Sequence, residues 1–199
     1  MKYSAVEAEI AGFVTSTFDS FPQTQFPYHN LTHTRSVVDH TKEIAAFYSL
    51  DQSDLFIVSA AAWFHDIGHL YGDIHGHEER GVGIMQNYLT TLPRETVTGI
   101  GNCIMATKFP STPHSLSEQI ICDADTYHLG TDVFRTTDPL VEKEMEIRTG
   151  KKNCDWHKAS LHFLQQHVFF TEYCQKLLNE GKRQNIVWLQ SIIDSANPE

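Results

Sequence analysis

A chain of 199 residues, 41% hydrophobic and 20% charged, can bury one sizeable core but is too short for two comfortable domains. Its net charge of -10 argues against loose binding to nucleic acid, which depends on clustered Lys and Arg. The longest apolar run, Leu55 to Phe64, falls well short of a membrane span, so one domain over residues 1–199 with no membrane contact is expected.

In chain order, "MKYSAVEAEIAGF" lacks the basic start, apolar stretch and cleavage site of a leader. It reads as the first helix of the mature fold, and a cytoplasmic location is expected. Val6, Ile10, Phe13, Thr17 and Phe21 recur at helical spacing. In "FPYHNLTHTRSVVDH", His29 and His33 stand four apart across a helix start, with Asn30 or Thr32 as the N-cap. Val37, Thr41, Ile44 and Tyr48 continue that helix, and His40, two turns on from His33, reads as solvent-facing.

Ser53 and Asp54 open a third helix, predicted to reach about Gly68. It is apolar nearly all round through Phe64, the pattern of a buried hub. His65 and Asp66 fall at its C-terminal end, where neighbours point about 100° apart. Both can reach a common point only beyond the helix end or beside a distorted last turn, which Gly68 allows. His65 and His69 have the i, i+4 spacing that lets two imidazoles share a metal, although His69 reads equally as a polar residue at a pocket mouth.

Further on, His75 reads as a loop histidine, and Val82, Met85, Leu89 and Leu92 mark a fourth helix. Pro93 sits near a helix start, Pro110 and Pro113 close one, Pro139 is expected to open another and Gly150 to end it. In "SEQIICDADTYHLG", Asp123 and Asp125 occupy opposite helix faces, so one can enter a site while the other is solvated or caps a neighbour. The stretch "WHKASLHFLQQHVFFTEYCQKLL" is amphipathic and expected to pack on the bundle, a homodimer interface being its second use. The fold class is all-α, about seven to nine helices. Cys103, Cys122, Cys154 and Cys174 form no C-x-x-C pair and read as reduced thiols.

Twelve histidines are the compositional oddity, since imidazole is both the commonest metal ligand and a proton carrier near neutral pH. A His-Asp doublet alone reads as readily as a surface histidine bonded to a capping aspartate. Behind "LFIVSAAAWF" it is buried, and an unpartnered carboxylate there costs on the order of several kcal/mol. A divalent cation compensates the carboxylate and takes the imidazole lone pair, turning that cost into binding energy.

The ordered set His33, His65-Asp66 and Asp125 resembles the H…HD…D signature of the HD-domain metal-dependent phosphohydrolases, an all-helical superfamily. "YHNLTHT" is similar to the YHN-x-x-H motif of class I cyclic-nucleotide phosphodiesterases and of small bacterial HD phosphohydrolases. "AAWFHDIGH", "HEERG", "IMATKFP" and "IICDADTYHLG" resemble successive motifs of the latter group. The resemblance covers roughly residues 25–135, with C-terminal helices from about 139 to 195 packing on that core.

It implies a compact multi-helix bundle in which His33, His65, Asp66 and Asp125 hold a first metal and Asp66 bridges to a second. Mixed imidazole and carboxylate ligands suit Mn, Fe, Zn, Co, Ni or a partly hydrated Mg. In the HD-GYP subgroup a His opening "HPxxG" binds the second ion, and "HEERG" sets His77 and Gly81 in that pattern. That subgroup and the HD-type oxygenases carry another His on the following helix, where this chain has Thr107 and Lys108. The second ion is therefore expected to be weak, water-rich or absent.

The implied reaction is hydrolysis of a phosphate ester by a metal-activated water, with the YHN motif leaning towards a nucleotide. By the same resemblance His29 is the acid that protonates the leaving oxygen. Lys108 is placed to pair with a substrate phosphate, or else is a solvated lysine at a helix end. His69 and Tyr28 are candidate substrate contacts, and Phe109, His114, Tyr127 and His128 candidate walls. No base-reading Gln or aromatic clamp is legible. A di-iron oxygenase and a nucleotide-binding regulatory module without turnover are the alternatives.

Overall fold

The computed structural model describes residues 3–196. Nine α-helices and three short 3₁₀ turns follow one another among these residues, in agreement with the all-α expectation. They are α1 (Tyr3–Asp19), α2 (Leu31–Phe47), α3 (Gln52–Phe64), α4 (His77–Tyr88), α5 (Arg94–Ala106), α6 (Leu116–Asp125), α7 (Phe134–Thr149), α8 (Trp156–Gln166) and α9 (Glu172–Ala196).

The hub is α3, which packs against α1, α2, α5 and α6. Its residues Phe56, Val58 to Ala62 and Phe64 are almost wholly buried, as the apolar run requires. The small side chains of Ala60, Ala61 and Ala62 let neighbouring helices approach closely, while Phe56 and Phe64 each bury an aromatic ring. Asp51 caps the helix, its carboxylate accepting the N–H groups of Ser53 and Asp54 at 2.8 and 2.9 Å. Such a cap stabilises a helix by about 1 kcal/mol. One apolar cluster runs from Ile10 in α1 to Leu189 in α9, so the C-terminal helices join the same core. None of the described helices is long and apolar enough to cross a membrane.

Two predicted boundaries differ. The third helix stops at Phe64, four residues short of Gly68, and the chain tightens into a 3₁₀ turn over Ile67–Tyr71. Asp66 there adopts φ -102° and ψ -4°, the sparsely populated bridge between helix and strand conformations where active-site residues are often found. Only glycine fits at position 68 of this turn, where α4 passes so close that a Cβ would lie 1.9 Å from the His77 carbonyl oxygen and 2.8 Å from the Gly81 nitrogen. Pro139, expected to open a helix, instead lies inside α7, which starts five residues earlier. Gly150 ends α7 in the left-handed conformation, φ +68°, as its position suggested.

Candidate metal centre

Local structure aims each of four side chains at one point. Asn30 is the N-cap of α2, its side-chain oxygen accepting the N–H groups of Thr32 and His33 at 2.9 and 3.2 Å, which seats His33 in the first helical turn. His65 and Asp66 leave the end of α3 as its path breaks, and Asp125 is the last residue of α6. His33 Nε2 lies 3.2 Å from Asp66 Oδ2 and 3.1 Å from Asp125 Oδ1. His65 Nε2 lies 3.2 and 3.5 Å from the same two oxygens, and 3.4 Å from His33 Nε2.

These donor atoms fit a divalent ion. His65 donates Nδ1–H to the Ala62 carbonyl at 2.8 Å, which leaves its Nε2 lone pair facing the cluster. Asp66 Oδ2 is buried between two imidazoles yet makes no hydrogen bond of good geometry, the condition of an atom that a cation satisfies. Without a cation, protons do the same work. Burial resists charging His33, but hydrogen bonds to Asp125 and Asp66 outweigh it and push the imidazole up to about 9. His65 rises likewise against its burial, chiefly through the Asp66 charge. Asp66 is held well below the usual carboxylate range, His65 and His29 outweighing burial, and Asp125 is lowered as well, His33 and His65 overcoming its burial.

A second group of imidazoles flanks Asp66 on the side of Oδ1. The rings of His29, His69 and His77 form a stack, with centroids 4.2 Å apart for the first pair and 3.8 Å for the second. His77 donates Nδ1–H to the Ile74 carbonyl at 3.0 Å, and its Nε2 lies 3.8 Å from Asp66 Oδ1. That leaves its Nε2 lone pair on the Asp66 side. His69, expected at a pocket mouth, is instead 2% exposed, with Nε2 3.7 Å from Asp66 Oδ1. Burial and the neighbouring His29 drive its pKa down, so the ring stays neutral.

Sequence reasoning missed Glu144 and Arg148, both on α7. Glu144 is almost fully buried; Oε2 accepts the N–H groups of Tyr28 and His29 at 2.9 Å each, and Oε1 accepts His29 Nδ1–H at 2.8 Å. Burial opposes its ionisation, but His29 outweighs that and lowers the carboxyl. Arg148 reaches from one turn further along and donates from Nη1 to Glu144 Oε1 at 3.2 Å and to His69 Nδ1 at 2.7 Å. At sequence level the two form an ordinary i, i+4 pair on a polar helix, the usual mark of a solvent-facing surface, and nothing there points inward.

The remaining predicted residues fall in different places. Tyr28 is buried, its ring 4.6 Å from that of His33 and its hydroxyl 3.2 Å from His128, so it packs against the His33 ring. Burial, with Asp125 next, raises its phenol well above the ordinary value. Lys108 is engaged elsewhere, in an exposed ion pair with Glu79. Asp123 turns away from the centre and caps the start of α9, accepting the N–H groups of Phe170 and Thr171 at 2.8 Å, which realises one of its two expected roles. His40, expected in solvent, is half-buried with its ring 3.7 Å above that of Tyr127. Phe109 and Asp125 border one cavity of about 270 Å³, together with Phe163, Gln166, His167 and Phe170.

Residues 30–130 match the family model described as HD domain, and His33, His65, Asp66 and Asp125 all fall within them. Among solved structures, the chain is similar to one described as a predicted HD superfamily hydrolase from an uncultured Thermotogales bacterium. The two are 21% identical with a TM-score of 0.63 over 96% of this chain and 92% of that one, a likeness of fold. No curated protein matches the chain.

Proposed function

From a chain that belongs to the HD domain family, a superfamily of metal-dependent hydrolases, we propose a phosphohydrolase that cleaves a phosphate ester of a nucleotide. The observation that carries this reading is the convergence of His33, His65, Asp66 and Asp125, with imidazole-to-carboxylate distances of 3.1 to 3.5 Å. A divalent ion held by these residues supplies an acidified water and positive charge for the phosphoryl oxygens.

The chain's own residues supply the rest. His29 donates Nδ1–H to buried Glu144, which fixes the ring and leaves Nε2 as the site that would give a proton to the departing oxygen. Ligand atoms of His29, Asp66 and His69 all lie within 4.8 Å of one another, so the His29 ring stands beside the carboxylate of the proposed centre. His77 and Asp66 Oδ1 are the groups available to a second ion. The cavity beside Asp125 gives the organic part of the substrate a seat: Phe109 and Phe163, with ring centroids 4.9 Å apart, can pack on a planar base. Its volume is near the lower end of small-molecule pockets, roughly 300–1,000 Å³, and suits a single ring system better than a dinucleotide.

Elemental analysis of the purified protein, followed by a phosphate-release screen with Mn, Fe, Zn, Co, Ni and Mg over nucleotides and cyclic dinucleotides, tests the proposal. At least one tightly held ion per chain and release of phosphate from a nucleotide are expected. Oxygen-dependent turnover of iron-loaded protein, or nucleotide binding with no turnover under any metal, would overturn it.

A further inference from the structure

His69 is hemmed in by groups that decide what its two nitrogens can do. A guanidinium has only donors, so the 2.7 Å contact from Arg148 Nη1 makes His69 Nδ1 an acceptor. Arg148 is itself immobilised: Nη2 donates to the carbonyls of Gly72 at 3.0 Å and His69 at 3.4 Å, and Nη1 also reaches Glu144. A neutral imidazole whose Nδ1 accepts must carry its proton on Nε2. This is the reverse of His65 and His77, whose Nδ1–H groups point to the Ala62 and Ile74 carbonyls. His69 Nε2–H is buried and has no hydrogen-bond partner; Asp66 Oδ1, at 3.7 Å, is beyond hydrogen-bond length. A buried donor with no acceptor is costly, and native structures rarely keep one without use.

We propose that Arg148 is a positioning residue that locks His69 in the Nε2–H form, so that His69 is excluded from the metal and instead donates a hydrogen bond to an anionic oxygen of the substrate. Beside this carboxylate His69 and His77 would otherwise both offer Nε2 lone pairs to a cation, His69 being the middle ring of the stack. The lock removes the middle one and converts it into a neutral donor beside the Oδ1 edge of Asp66. The donor role rests on the phosphohydrolase reading, whereas the lock is a property of the chain alone.

Long-range proton–nitrogen correlation spectra of histidine-labelled, chelator-treated protein read the protonated nitrogen of each ring directly. His69 is expected with its proton on Nε2, opposite to His77. Arg148→Met should mix the two His69 forms, and Arg148→Lys, which restores a donor, should recover the single form. A proton on His69 Nδ1 in the unaltered protein, or an unchanged ring in Arg148→Met, overturns the lock. Metal content gives a second test: His69→Gln and His69→Leu should both keep the ion content of the parent protein, and loss of an ion in His69→Leu would make His69 a ligand and sink the proposal. Inorganic phosphate added to Mg²⁺- or Zn²⁺-loaded protein should shift the His69 Nε2 proton. If the signals of His29 and His77 move while that proton does not, the donor role is wrong. If none moves, the phosphohydrolase reading itself fails and takes the donor role with it, while the lock is judged by the metal-free spectra.

Discussion

The two sides of Asp66 carry the same residue types but set them against different partners. On the Oδ2 side, His33 and His65 crowd two carboxylates, and a backbone carbonyl behind His65 turns its lone pair inward. On the Oδ1 side only His77 has such a carbonyl behind it, whereas His29 and His69 are backed by charged side chains, Glu144 behind one and Arg148 behind the other. A carboxylate behind an imidazole favours its charged, proton-giving form, a cation favours a neutral ring with its proton turned away, and a carbonyl leaves a ligand. On the proposed reading, the partner on the far nitrogen decides whether a histidine here binds a metal or handles a proton.

Removing the residue shared by both sides should do most damage. Asp66→Ala is expected to lose metal and turnover together, by roughly a thousandfold or more in rate when an activated water and its charge stabilisation both go; undiminished hydrolysis would erase the distinction between the two sides. His29→Ala should retain its ion content and fall about 10²- to 10⁴-fold in kcat, the range for loss of a general acid. A leaving group that needs no protonation, such as p-nitrophenolate, should recover much of that rate, and a His29 variant that loses its metal would move His29 to the ligand side. Glu144→Gln keeps the shape but weakens the hold on His29, and a loss of about 10- to 100-fold, with the ion retained, is expected from a supporting hydrogen bond of this kind.

Smaller effects sharpen the contrast through pH. In chelator-treated protein, His33 is raised from 6.5 to about 9, so its proton contributes stability that is fully present below pH 6.5 and is lost as pH rises through about 9. The melting temperature of the metal-free protein should fall over that window, and the fall should shrink in His33→Asn. Metal competes with the same proton, so affinity for the ion should rise over the same range. Lys108→Ala, which breaks only an exposed pair with Glu79, should change rate less than about threefold and stability within about 0.5 kcal/mol; a larger loss of rate would bring Lys108 into the site.

Patterning along the chain was enough to read an all-helical fold and the buried α3, because helical periodicity, a cap such as Asn30 and a charged doublet behind an apolar run are local signals; the set His33, His65, Asp66 and Asp125 came from the resemblance to HD-domain proteins, and the fold brings those four side chains together. The divergent roles of Asp123 and Asp125 were also open to view, since residues two apart on a helix face opposite ways. Where α3 stops was not, because the turn that follows Phe64 is packed tightly against α4 at Gly68, a tertiary contact that no local pattern announces. Nor were Glu144 and Arg148, whose sequence pattern is that of a solvated helix face and whose burial follows only from the docking of α7 against the Tyr28–His29 and His69–Gly72 backbone. Residue types alone set which atoms are able to bind a cation or carry a proton; the assembled bundle chose among them, because a histidine's two nitrogens are told apart only by what each one touches.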